Sequence, residues 1–152
     1  MNRKPEIPEP IKSKIDEILA ASSDAFREGD LRKSHEIALM AWDLIPEPKE
    51  RWDYYPQSLS RSFVEDYINF RDEAAATKWV EITAIMFNDP NHEDLEVLTI
   101  EAEVTSSFGN TERLLYIINR IVEIYGEQPL RAPERQKWLK IYQSEKGKFN
   151  AR

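Results

Sequence analysis

Apolar residues recur at helical spacing along almost the whole chain, and the runs are separated by short polar turns. Ile11, Ile15, Ile18, Leu19, Ser22 and Phe26 share one face of a helix that begins after Pro10 and ends at Gly29, a residue suited to the left-handed backbone at a helix C-terminus. A second helix is predicted over 31–44, with Leu31, Ser34, Ala38, Ala41 and Trp42 on one stripe before Pro46 stops it. The linker 45–56 carries Pro46, Pro48 and Pro56 and is too proline-rich for a helix interior. A third helix runs over about 57–70 on Leu59, Phe63, Tyr67 and Phe70, breaks at Arg71-Asp72, and is followed by a fourth over about 73–87. Asn88-Asp89-Pro90-Asn91 is a turn cluster; beyond it Leu95, Leu98, Ile100, Ala102 and Phe108 form a fifth helix that ends at Gly109-Asn110. The sixth, 111–125, carries Leu114, Leu115, Ile117, Ile118, Ile121, Val122 and Ile124, so nearly apolar all round that cover on more than one side is expected. After a loop at 126–132, Pro133 fits the first turn of a seventh helix bearing Trp138, Leu139, Ile141 and Tyr142.

The turns repeat. Phe26 precedes Gly29-Asp30-Leu31, Phe70 precedes Arg71-Asp72 and Ala74, and Phe108 precedes Gly109-Asn110-Thr111. Aligned this way, Ser34, Ala38, Ala41 and Pro46 correspond to Thr77, Glu81, Ala84 and Asp89, then to Leu114, Ile118, Ile121 and Gly126, with a period of 43 and then 37 residues. Periods of this size mark stacked helix-turn-helix units, each unable to bury its apolar face alone. The first copy, 15–46, resembles a tetratricopeptide repeat through the Gly29-Asp30-Leu31 turn, the small residues Ser34 and Ala41 and the closing Pro46. The other copies match in layout only. The resemblance implies an all-α fold: a tetratricopeptide-like α-solenoid of three antiparallel helical hairpins with the seventh helix capping the open end. The expected organisation is a flexible N-terminal arm at 1–10, rich in Pro5, Pro8 and Pro10, a single helical repeat domain at 11–147, and a charged tail at 148–152.

Composition narrows the function. Hydrophobic residues make up 41% of the 152, with four glycines and no cysteine, which suits a helical core and removes disulfides, thiolate metal sites and cysteine nucleophiles. Nothing at the N-terminus resembles a signal peptide and no run is long enough to span a bilayer, so a cytoplasmic protein without membrane contact is expected. A formal net charge of -7 disfavours nucleic acid, whose binding needs a basic face. The charge is segregated: between Lys78 and Arg113 there is no lysine or arginine, yet Glu81, Asp89, Glu93, Asp94, Glu96, Glu101, Glu103 and Glu112 fall there. Either this is a solvated helix face or it is an acidic docking surface for a protein with a basic face.

Transferring the repeat layout places Asp16, Ser23, Arg27, Asp66, Asn69, Glu96, Thr99, Glu103 and Ser106 near the concave groove that such arrays use for binding. The expected partner-binding set is Asp66, Asn69, Asp89, Glu93, Asp94, Glu96, Thr99 and Glu103, with Trp52, Tyr54 and Tyr55 of the linker as aromatic contacts. The competing expectation for the linker aromatics is that they fold back between the first two repeats. No catalytic residue, metal site or cofactor is expected: His35 and His92 lie in no recognised motif, and His92 with Glu96 reads as a capping or surface pair rather than two metal ligands. Small size, acidity and lack of cysteine suggest by analogy an intracellular inhibitor, such as a bacterial immunity protein that neutralises a cognate toxin with a basic face. The alternative is a scaffold or adaptor holding a peptide in the concave groove.

Overall fold

A computed structural model describes residues 3–150, with side chains through 146. All regular structure among them is helical: α1 (Ile11–Arg27), α2 (Leu31–Leu44), α3 (Tyr55–Asn69), α4 (Glu73–Met86), α5 (Leu95–Ser107), α6 (Thr111–Tyr125) and α7 (Gln136–Asn150), with short 3-10 turns at Lys49–Arg51, Gln128–Arg131 and Pro133–Arg135. None of these helices is long and apolar enough to cross a membrane. The chain divides into two compact units, Met1–Pro90 and Asn91–Arg152. Of the tail expected at 148–152, residues 148–150 continue α7, whereas Ala151 and Arg152 lie outside the described residues, as do Met1 and Asn2 of the expected arm.

Three connections share one geometry. Gly29, Arg71 and Gly109 take positive φ (85°, 59° and 74°), the left-handed conformation that turns the chain out of a helix. The next residue's N–H then reaches back five positions, from Asp30 to Ala25, Asp72 to Tyr67 and Asn110 to Thr105, at 2.9–3.0 Å. The same three side chains cap the following helix by accepting from the N–H of Lys33, Ala75 and Arg113. Capping thus places Asp72 opposite Asp30, so the caps are separated by 42 and then 38 residues rather than 43 and 37. The shift corrects the second copy by one position: Ala76, Val80 and Thr83 are the buried counterparts of Ser34, Ala38 and Ala41, while Thr77 and Glu81 are exposed. The physical reason is that Arg71, not Asp72, occupies the left-handed position that glycine fills elsewhere.

In the first unit α1 packs on α2 and α3 on α4. Small residues bring α1 and α2 together at Ser22 and Ser34, whose hydroxyls each donate to the other's carbonyl at 2.7 and 2.8 Å. Phe26, expected on the buried face of α1, is 61% exposed; Ile15, Ser22 and Ala25 form that face instead. Trp42, Phe63 and Trp79 meet edge to face with centroids 4.9–6.0 Å apart, joining α2, α3 and α4.

The N-terminal segment and the linker close over this core. Ile7 of the expected arm is buried, and the Asp53 N–H donates to the Pro5 carbonyl at 2.9 Å. The Lys4 ammonium donates to the carbonyls of Glu50 and Met86, and Gln57 also donates to Met86. These bonds satisfy a carbonyl at the end of α4 that has no partner within its own helix. Burial lowers the Lys4 pKa, against the raising influence of Glu50 and Asp53. Lys49 likewise caps α2 through the carbonyls of Trp42 and Ile45.

In the second unit the core is Leu98, Ala102, Leu114, Ile117, Ile118, Ile121, Leu130 and Trp138. The expectation that α6 is covered on several sides fails: Leu114, Ile117, Ile118 and Ile121 make one stripe, while Tyr116, Ile124 and Tyr125 are exposed. Leu130, in the stretch expected as a loop, and Trp138 from α7 complete the cover over that stripe.

Candidate functional site

The linker divides its aromatics. Trp52 folds into the core and its indole N–H donates to the Pro46 carbonyl at 2.9 Å. Tyr54 is 62% exposed and sits at φ 72°, ψ -66°, inside a γ-turn in which the Tyr55 N–H donates to the Asp53 carbonyl at 2.9 Å. That conformation is strained for any residue with a Cβ. Tyr55 is half-buried at the first position of α3, its ring 5.1 Å from that of Tyr54 and its hydroxyl donating to Asp16 on α1 at 2.5 Å. Burial, the bond to Asp16 and the nearby negative groups push the Tyr55 hydroxyl up to about 12.

Asp66 turns inward rather than toward a partner. His35, 6% exposed, has Nδ1 at 2.7 Å from the Asp66 carboxylate and Nε2 at 3.1 Å from the Tyr67 hydroxyl, with Phe63 and Phe70 against its ring. An ionised Asp66 only accepts, so Nδ1 carries a hydrogen and donates to it. Burial raises the Asp66 pKa, and the bond from His35 opposes the shift. The arrangement ties α2 to α3 from within. Asn69, at the end of α3, is exposed.

Two acids of the segment in the second unit, Glu93 and Glu101, meet bases from α6. Glu101, its side chain 14% exposed, takes His92 Nδ1 at 3.1 Å on one oxygen and Arg113 at 2.9–3.0 Å on the other. Arg120 donates to the carbonyls of Asn91 and His92 and pairs with Glu93 at 3.4 Å, while the Tyr125 hydroxyl donates to the Glu93 carbonyl. His92, at a positive φ of 54° ahead of α5, thus pairs with Glu101 on the second turn of that helix. Among the described residues no group of three or more His, Asp or Glu side chains is placed to hold a metal ion.

The remaining expected positions separate. Asp94 caps α5 by accepting from the Glu96 N–H at 2.8 Å, and one Glu96 carboxylate oxygen is sealed from solvent. Thr99 is buried with its hydroxyl donating to the Leu95 carbonyl, so it presents nothing to a partner. Glu103 and, in the first unit, Asp89 are half-buried. The expected set thus splits between the units, and Tyr54 and Tyr55 come together with Asp16 in the first. Glu101 as a hub was not legible, since Arg113 meets it only once the turn at Gly109 brings α5 and α6 together. An open groove of about 590 Å³ lies elsewhere on the first unit, lined by Pro10, Ile11, Ser13, Lys14, Glu17 and Leu44. No family model matches the chain, and no curated protein and no solved structure matches it at significance.

Proposed function

We propose that this chain is a non-enzymatic protein-binding module on a tetratricopeptide-like array of three antiparallel hairpins and a capping helix, and that its partner presents a basic surface. The pairwise packing of α1 with α2, α3 with α4 and α5 with α6, and the shared turn geometry, support the array. The observation that carries the functional reading is the stretch from Lys78 to Arg113, which has eight carboxylates and no intervening lysine or arginine. Its most specific form is an intracellular inhibitor, such as a bacterial immunity protein seated on the basic face of a cognate toxin. Electrostatic matching of this kind speeds association and sets orientation, and apolar contacts supply the affinity. The test is the complex with the captured native partner: the inhibitor reading expects one-to-one stoichiometry, weakened at least about tenfold by Glu103→Lys with Glu112→Lys, since each reversal removes one attractive and adds one repulsive term. An unchanged affinity sinks the acidic-surface reading. The open groove at Pro10, Ile11 and Leu44 favours a second reading, an adaptor that holds extended peptides weakly.

A further inference from the structure

We propose that Tyr54, Tyr55 and Asp16, with Glu6 beside them, form a docking site for an arginine side chain of a partner protein. This rests on the reading of the chain as a binder of a basic protein and assigns it a place in the first unit. The backbone is the first reason. A tyrosine at φ 72° is held in a conformation that glycine would adopt without strain, and the residue, 62% exposed, gains little burial in return. Its neighbour Trp52 shows that an aromatic of this linker can be buried. Packing within the chain therefore does not account for the position of Tyr54, whereas presentation to another molecule does.

Charge supplies the occupant. Tyr54 and Tyr55 meet edge to face, the rings at 85°, which leaves at least one face of the exposed ring open to a cation. Asp16 accepts from Tyr55 through Oδ1, is itself exposed, and has no cation within ion-pair distance among the described residues. The bond from Asp53 to Pro5 lays the N-terminal segment beside the linker, and this brings Glu6 within electrostatic reach of Tyr55. Two of the chain's own cations on these segments are engaged: Lys4 on two carbonyls, and Arg51 stacked over Trp52 with its guanidinium carbon 4.9 Å from the ring centre. Lys12 stands 3.7 Å from Glu6, whose side chain is 78% exposed, an open pair that a guest can displace. Guanidinium fits this surface better than ammonium, because it stacks flat on an aromatic ring while its edge bonds a carboxylate.

The probe is acetyl-Gly-Arg-Gly-Arg-Gly amide, titrated into the full chain and followed by amide chemical shifts, with the same peptide carrying neutral citrulline as control. Saturable shifts are expected at Glu6, Asp16, Tyr54 and Tyr55, and none with citrulline. Tyr54→Gly and Asp16→Asn should each weaken binding about tenfold, the scale of one cation–π contact or one charge-assisted bond. Tyr54→Phe should bind as the native chain does, which separates loss of the ring from loss of fold. Equal binding of citrulline, or full binding by Tyr54→Gly, overturns the site. Shifts confined to α5 and α6 also overturn it while leaving the acidic-segment reading intact; failure of that reading is seen separately, in the partner complex of the Glu103 and Glu112 reversals.

Discussion

Glu101 and Asp16 are both carboxylates that meet aromatic or basic neighbours, yet they serve opposite ends. Glu101 lies in the most acidic stretch of the chain and is closed off by His92 and Arg113, both oxygens taken. Asp16 lies where the sequence shows no charge excess, and it keeps one oxygen and an exposed position beside an open tyrosine ring. A count of charges along a chain does not measure the field at its surface, because helix pairing brings bases distant in sequence onto the acids. Glu93 and Glu101 of the acidic segment serve the cohesion of the second unit, and Asp16, an acid outside the segment, adds to what the remaining carboxylates offer a partner.

Removing each carboxylate separates the two roles. Glu101→Ala removes the carboxylate that holds half-buried His92 and Arg113, and should cost about 1–2 kcal/mol in urea unfolding followed by the amide signals of α5 and α6. Asp16→Asn keeps an acceptor for Tyr55 on an exposed helix face and should cost less than about 1 kcal/mol in urea unfolding followed by the amide signals of α1 and α3. A large loss at Asp16 and a small one at Glu101 would invert the comparison.

Tyr54→Gly should move stability the other way. Release of the γ-turn strain gains about 1–2 kcal/mol, and the greater freedom of glycine in the unfolded chain returns about 0.5–1 kcal/mol, so a midpoint equal to or slightly above the native one is expected. A clear loss of stability would mean that the exposed ring holds the fold, and would remove the case for presentation.

Titration gives the smallest effects. The Tyr55 pKa is raised in the folded state to about 12, so the stability its bond to Asp16 contributes is intact below about 10, the unfolded value, and is lost as pH rises through about 12. Absorbance at 295 nm should show one tyrosine ionising late, and Tyr55→Phe should abolish that step. The Asp66 pKa is also raised, so its folded state favours the proton; the stability of the native chain relative to Asp66→Asn should be greatest below the unfolded value of about 4 and decline as pH climbs through the folded one. A rise over that window would mean that the attraction of His35 outweighs burial.

Much of the helical layout was legible because its signals are local. Gly29 and Gly109 supply positive φ without strain, Asp30, Asp72 and Asn110 are good N-caps, and apolar spacing follows the helix period. The connection between α3 and α4 differs by one position from the sequence alignment because arginine at position 71 adopts the glycine conformation, which no local preference announces. On α6 the composition predicts cover all round, whereas burial follows the one-sided stripe of Leu114, Ile117, Ile118 and Ile121. The candidate site was half legible: aromatics in a proline-rich linker drew attention, but which of them turns inward depends on whether an acceptor such as the Pro46 carbonyl is within reach. Ion pairing was least legible, since His92 is separated from Glu101, and Glu101 from Arg113, by a turn that reorients the chain.

The central claim is that this chain recognises a basic protein surface, and the association rate with its native partner as a function of salt tests it most directly. Attraction between opposite charges is screened over about 30 Å at 0.01 M and about 3 Å at 1 M ionic strength. The rate should fall at least about tenfold between those limits, with dissociation changing far less. A rate that is flat across the series, or that rises with salt, contradicts the claim.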